Sequence, residues 1–287
     1  MTDRMAGFLL LGTVASFLLA IGVAMMKSRG AALPVAQGAQ VFSALARWLV
    51  DPLWLGGLAL QTGGYMVYLF ALSGAPVSLL AVTMQAGIAL FVVVAIVFMG
   101  ERARPREWLG IIGIVGAILF LSLSLPGGAT PSAIDPSRLI LLSVLAGAAA
   151  MLTFLAHHRD AGGIAPALAS GIAFGMGSLY AKALVDVIAA EPTTETGLMS
   201  ALMTTPWTYL AVAANLIGLV LLQNSFHTAR GIIAMPLSSA CANIVPMLGG
   251  LVAFGEHLPA SGGATALRLA AFGLTIFSGG LLATSRN

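Results

Sequence analysis

Charge is scarce in this chain: Asp, Glu, Lys and Arg make up 8% of its 287 residues. A surface so poor in charge cannot face water all round, which excludes a soluble domain and a nucleic-acid-binding one. Cysteine is nearly absent as well. Cys241 stands alone inside an apolar run, so there is no disulfide framework and packing is its ordinary role. The chain also lacks a Ser-His-Asp order, an H-E-x-x-H, a phosphate loop and a glycine fingerprint, so neither an enzyme nor an ATP-driven pump is expected, and no cofactor. His157-His158-Arg159-Asp160 has metal-type side chains. Adjacent histidines diverge on a helix, however, and the run reads as a solvated charge cluster; no metal site is expected.

What fills the chain is apolar: 59% of residues are hydrophobic. The runs far exceed the roughly 10 residues of a membrane strand, and hydrocarbon leaves no partner for an unpaired backbone group, so they must be helices. Nine spans are expected at about 6–26, 54–73, 77–99, 107–124, 139–156, 165–188, 208–227, 232–254 and 266–284. Pro76, Pro105, Pro136, Pro206 and the pairs Gly127-Gly128 and Gly262-Gly263 punctuate their ends. The first run exceeds a signal-peptide core of about 7–15 residues, so it is retained. The expected fold is an all-α polytopic membrane protein with one transmembrane domain over 1–287.

Residues 34–50 admit two readings. Val35, Val41, Phe42, Leu45 and Leu49 alternate with Gln37, Gln40, Ser43 and Arg47, which suits a weak span or an interfacial helix. Cation placement separates them. Nine spans put Lys27, Arg29, Arg47, Arg102, Arg104, Arg106, Arg159, Arg230 and Arg286 on one side and Arg4, Arg138, Lys182 and Arg268 on the other, nine against four; ten spans even them out. The positive-inside rule then gives an inner-membrane protein with its N-terminus outside, its C-terminus cytoplasmic and 34–50 on the cytoplasmic surface.

The chain repeats itself. Lys27 and Lys182, Gly100-Glu101 and Gly255-Glu256, Gly22 and Gly177, Gly63 and Gly218, and Val97 and Val252 are each 155 residues apart. Each copy reads span, Lys, a short amphipathic stretch containing Ser-Ala-Leu, Pro, two long spans, Gly-Glu. The copies cover about 6–124 and 165–284, spans 1–4 and 6–9, and the single linking span at 139–156 inverts the second. Inverted repeats put a binding site near the midplane, where the halves meet, and rocking exposes it to alternate sides.

Mid-depth polar residues are neutral: Gln61, Thr83, Gln85, Asn215, Ser238, Ser239 and Asn243. Singly, each suits an interhelical hydrogen bond. Together they fall on repeat-related spans, which favours a central substrate pocket, with Tyr65, Tyr68 and Phe91 as aromatic walls or as packing. Pro236 opens the eighth span, and Pro246 beside Asn243 is placed to kink it. Lys27, Glu101, Lys182 and Glu256 end spans, either as snorkelling and capping residues or as gates, one ionic cluster at each mouth. Asp186, four residues after Lys182, neutralises it along the helix.

These features resemble the drug/metabolite transporter superfamily, EamA-like, and within it the nine-span branch of NIPA-type magnesium transporters. The resemblance runs over nearly the whole chain. It is carried by Lys27, Pro52-Leu53-Trp54-Leu55-Gly56-Gly57, Ala71-Leu72-Ser73-Gly74-Ala75-Pro76, Gly100-Glu101-Arg102 and Glu107-Trp108-Leu109-Gly110. In the second half it rests on Gln223-Asn224-Ser225-Phe226-His227-Thr228-Ala229-Arg230, Pro236, Pro246 and Phe254-Gly255-Glu256. It implies a secondary transporter moving a small metabolite or drug-like molecule by alternating access, or, by the branch, magnesium or another divalent cation. All ten acids lie at span ends or in loops, so Mg²⁺ would cross largely hydrated or be held by amide and hydroxyl oxygens. A membrane enzyme or lipid-handling scaffold is the reading from another class. The partners implied are a small-molecule or ion substrate and the lipid bilayer, with the chain a monomer or a homodimer.

Overall fold

The computed structural model describes residues 2–30, 32–34, 41–100, 104–124, 134–156, 164–190, 195–229, 231–256, 258–259 and 261–283. All regular structure among them is α-helical. In chain order the helices are α1 (Thr2–Arg29), α2 (Val41–Trp48), α3 (Pro52–Leu72), α4 (Val77–Thr83), α5 (Gln85–Met99) and α6 (Pro105–Leu123). They continue as α7 (Pro136–Ala156), α8 (Ile164–Ala190), α9 (Glu195–Thr204), α10 (Pro206–Thr228), α11 (Gly231–Val252) and α12 (Gly262–Ala283). Every apolar run singled out in the sequence falls on a helix or, for 77–99, on the pair α4–α5. Among the described residues, α1, α3, α4–α5 together, α7, α8 and α10 contain segments long and apolar enough to cross a membrane; α11 and α12 contain shorter apolar segments. The protein is an all-α, multi-pass membrane protein.

Local chemistry sets the helix boundaries. Proline occupies the first position of α3, α6, α7 and α10, where its missing N–H costs nothing and its fixed φ is already helical. Asp51 caps α3 by accepting the Trp54 N–H at 2.9 Å. Past the ends of α5 and α11 stand Gly100 (φ 67°) and Gly255 (φ 57°), the positive-φ residues of the described chain. A side chain is strained in that left-handed turn. The two glycines are 155 positions apart.

α1 lies along α3 and also against α5; α8 lies along α10 and also against α11. Absent side chains make these crossings close. A Cβ on Gly22 would sit 2.5 Å from the Gly57 carbonyl oxygen, and one on Gly57 2.6 Å from that of Gly22. Gly87 of α5 abuts the Ser16 carbonyl of α1, and Gly171 of α8 abuts the Ser238 carbonyl of α11. Across the halves, α6 pairs with α12, and α11 packs on α4 and α5.

α2 is eight residues long, about 12 Å of helix against a hydrocarbon core of ~30 Å, so it does not reach across. The ends it joins lie together, since Arg29 pairs with Asp51 at 2.7 Å. Ala44 and Trp48 are buried while Phe42 is 84% exposed, and the Trp48 ring meets Trp54 with centroids 5.6 Å apart. α9 holds Ser200-Ala201-Leu202 as α2 holds Ser43-Ala44-Leu45.

The third long element differs between halves. α11 runs without a break from Gly231 to Val252 through Pro236 and Pro246. The interruption is at Met84, between α4 and α5. There the Gly87 N–H donates to the Met84 carbonyl at 3.2 Å, the short i to i+3 closure of a 3₁₀ turn. The Thr83 hydroxyl donates back to the Leu80 carbonyl at 2.9 Å.

Candidate functional site

A cavity of about 280 Å³ lies among α1, α3, the Met84 turn, α5, α8, α10 and α11. It gathers Gln61, Asn215, Ser238, Ser239 and Asn243 of the residues singled out by mid-depth polarity, together with Tyr65 and Tyr68. Thr83 is buried outside the lining, its Oγ1 against Gly12 of α1. Phe91 is fully buried in the packing beside α1. The Gln85 side chain, Glu101, the 157–160 cluster and His257 lie outside the described residues, although Met84, Gly87 and Ile88 around Gln85 line the cavity.

The lining also holds Ser16, Thr62, Phe174, Ser178 and Met235, which mid-span polarity had not singled out. Two of these, Phe174 and Ser178, stand 155 positions from other lining residues. Leu19 and Phe174, Val23 and Ser178, Gln61 and Leu216, Met84 and Ser239, Gly87 and Ala242, and Ile88 and Asn243 all line the cavity, each pair 155 residues apart. A serine read alone in an apolar run looks like any other packing residue.

Hydrogen bonds hold the polar side chains in place. Asn215 Nδ2 donates to the Ala211 carbonyl at 2.8 Å and to the Tyr65 hydroxyl at 3.3 Å. Asn243 Nδ2 donates to the Ser239 carbonyl at 2.8 Å, and Ser238 shares a 2.7 Å hydroxyl bond with Ser170. Gln61 Oε1 is buried with no hydrogen-bond partner among the described residues. Beyond these and Ser16, Thr62, Tyr68 and Ser178, the wall is apolar, from Leu, Ile, Val, Ala, Gly, Met and Phe174.

Contacts between halves close the bundle at both ends. Lys27, ending α1, donates to the carbonyls of Phe226 at 3.1 Å and Ala229 at 3.5 Å, with its ammonium 5.2 Å from the Phe226 ring centroid. Lys182 of α8 donates to the Leu72 carbonyl at 3.3 Å and pairs with Asp186 at 2.7 Å. Each lysine therefore sits at the C-terminal carbonyls of the other half's second long helix, where a cation meets the negative end of the dipole. Glu256 complements Lys182: its carboxylate accepts the Val77 N–H at 2.8 Å and the Ser78 N–H at 3.2 Å, at the start of α4. Burial pushes the Glu256 carboxyl above its usual range against those two bonds and that of the Ser78 hydroxyl. Nearby, Arg138 pairs with Asp135 at 3.0 Å and donates to the Val252 carbonyl at 3.2 Å. At the opposite end Arg29 holds the Asp51 carboxyl below its usual range.

No group of three or more His, Cys, Asp or Glu side chains converges among the described residues, and the cavity lining contains no ionisable group more acidic than tyrosine. No protein-family model, curated protein or solved structure matches the chain.

Proposed function

We propose that the protein is a secondary transporter that carries a small metabolite or drug-like molecule across the inner membrane through the central cavity by alternating access. The observation that carries this reading is the lining itself: six pairs of wall residues stand 155 positions apart. A cavity on the axis between two structural copies is where a rocking-bundle transporter keeps its site. Support comes from the ends as well. Lys27 and Lys182 occupy equivalent positions in the copies and each reaches across to the other half. Contacts of that kind must break at one end for the cavity to open there.

In this reading nine spans cross the membrane as two inverted repeats joined by α7, with the N-terminus outside and the C-terminus cytoplasmic. The likeness of its motifs to the drug/metabolite transporter superfamily points the same way, by analogy. The test is flux into proteoliposomes holding the purified chain, with a panel of uncharged, cationic and anionic metabolites and, because of the magnesium branch, Mg²⁺. Saturable uptake of one solute, lost on narrowing the cavity with Ala242→Leu, is the expected result. Uptake of every solute at the rate of protein-free vesicles overturns the reading.

A further inference from the structure

The cavity's polar groups are unevenly used. Asn215 spends both Nδ2 hydrogens, on Ala211 and Tyr65, and Asn243 spends one on Ser239. Those carbonyl partners accept and cannot donate, which fixes the amide orientations. The hydroxyls of Ser16 and Ser178 donate to carbonyls of their own helices, at 2.7 Å to Thr13 and 3.2 Å to Phe174. What remains open includes two acceptors, since Oδ1 of Asn215 and of Asn243 takes no hydrogen bond among the described residues, beside donors in the second Nδ2 hydrogen of Asn243 and the Tyr65 O–H. Each such carbonyl offers two lone pairs.

Charge is missing from the same wall. Among the described residues no Asp, Glu, Lys, Arg or His lines the cavity, so an ion entering it would lose water and meet no countercharge there, a cost of several kcal/mol. The rest of the wall suits an apolar body, with the rings of Tyr65 and Tyr68 centred 6.1 Å apart on one side. At about 280 Å³ the volume is near the small end of ligand pockets, roughly 300–1,000 Å³.

We propose that the cavity binds a small uncharged molecule with an apolar body and at least one N–H or O–H donor, of the primary amide or alcohol class, and discriminates against carboxylates, phosphates and ammonium ions. This assignment rests on the transport reading for its purpose but not for its chemistry. Four probes share one scaffold and isolate the chemistry: 3-phenylpropionamide, its N,N-dimethylamide, 3-phenylpropionate and 3-phenylpropylamine. Binding is measured by equilibrium dialysis on the purified full chain in detergent, and flux in proteoliposomes.

The primary amide binds about tenfold or more tighter than each of the other three, the scale of one well-made hydrogen bond. Asn243→Leu lowers amide binding about tenfold and leaves the weak dimethylamide binding unchanged. A packing defect would weaken both probes alike. Tighter or equal binding of the carboxylate or the amine overturns the assignment, as does no binding of any of the four at millimolar concentration. An amide that binds but is not carried into vesicles sinks the transport reading and leaves the assignment standing. Saturable flux of an anion or of Mg²⁺ does the reverse.

Discussion

The two ends of the bundle start from equivalent residues and are built differently. At one, Lys182 is 3% exposed and neutralised by Asp186 on its own helix. The short turn from α3 to α4 is held there from both sides, with Lys182 at the last carbonyls of α3 and Glu256 at the first amides of α4. Each charge faces the dipole end that attracts it. At the other end, the half-buried Lys27 is positioned by two carbonyls and the face of Phe226. Lysines 155 positions apart therefore sit in different surroundings at the two ends. The Lys182 end buries an ion pair and a carboxylate on the α4 amides, the Lys27 end carries the partly exposed Arg29–Asp51 pair, and the two should open at different cost.

The largest effect is expected where that contrast is sharpest. Lys182→Met leaves Asp186 without its partner in a largely buried place, and should lower unfolding stability in detergent by about 2–3 kcal/mol. Adding Asp186→Asn should restore much of it, because the unpaired charge is gone. Equal stability of single and double variants would show that the pair is not coupled. Next comes Glu256→Gln, which keeps one acceptor for the α4 amides and loses the other, for about 1–2 kcal/mol. It should also raise maleimide labelling of a cysteine placed at Ser73 in the α3–α4 turn. Unchanged labelling there would leave Glu256 as a helix cap and nothing more. Lys27→Met comes third, at about 1 kcal/mol; a loss as large as that of Lys182→Met would erase the distinction between the ends.

The smallest effect is in pH dependence, where the two ends should slope in opposite directions. Glu256, raised by burial above 4.5, holds its proton more tightly folded than unfolded. The stability it contributes is full below 4.5 and is lost as pH climbs through the raised value. Asp51, lowered by Arg29 below 3.8, behaves oppositely: its contribution is present above 3.8 and is lost as pH falls through the lowered value. Melting curves across the acid range should therefore lose their downward arm in Glu256→Gln and their acid-side arm in Asp51→Asn. Parallel profiles in all three proteins would mean that neither carboxylate is linked to folding.

Helix positions were the most legible property of the sequence. Hydrocarbon demands long apolar helices, and proline at first positions and glycine past last ones mark the boundaries in the letters themselves. Depth was legible too, since counting from a helix end brings Gln61, Asn215, Ser238, Ser239 and Asn243 to the middle. Azimuth was not. Thr83 sits at the right depth on the wrong face, turned to Gly12 of α1 rather than to the cavity. The interruption at Met84 was not legible for a related reason. Proline is the visible breaker, but neighbouring helices re-satisfy the groups it frees. At Met84 the tight turn goes with the close packing of Gly87 on α1, which belongs to the partner helix as much as to the local sequence.

α7 leads a different life from the helices around the cavity. It packs mainly on α8, fastened by a 2.8 Å bond from the Tyr180 hydroxyl to Ser143 and by the fully buried Leu139. Leu141, Val144, Leu145, Met151, Leu152 and Leu155 point outward and are each more than half exposed. A side chain that meets only acyl chains is asked to be greasy and little else, so selection has almost no purchase on which greasy residue stands there. Mutational scanning should find this helix the most permissive stretch of the chain, free to drift through Leu, Ile, Val, Met and Phe while Leu139 and Ser143 stay put.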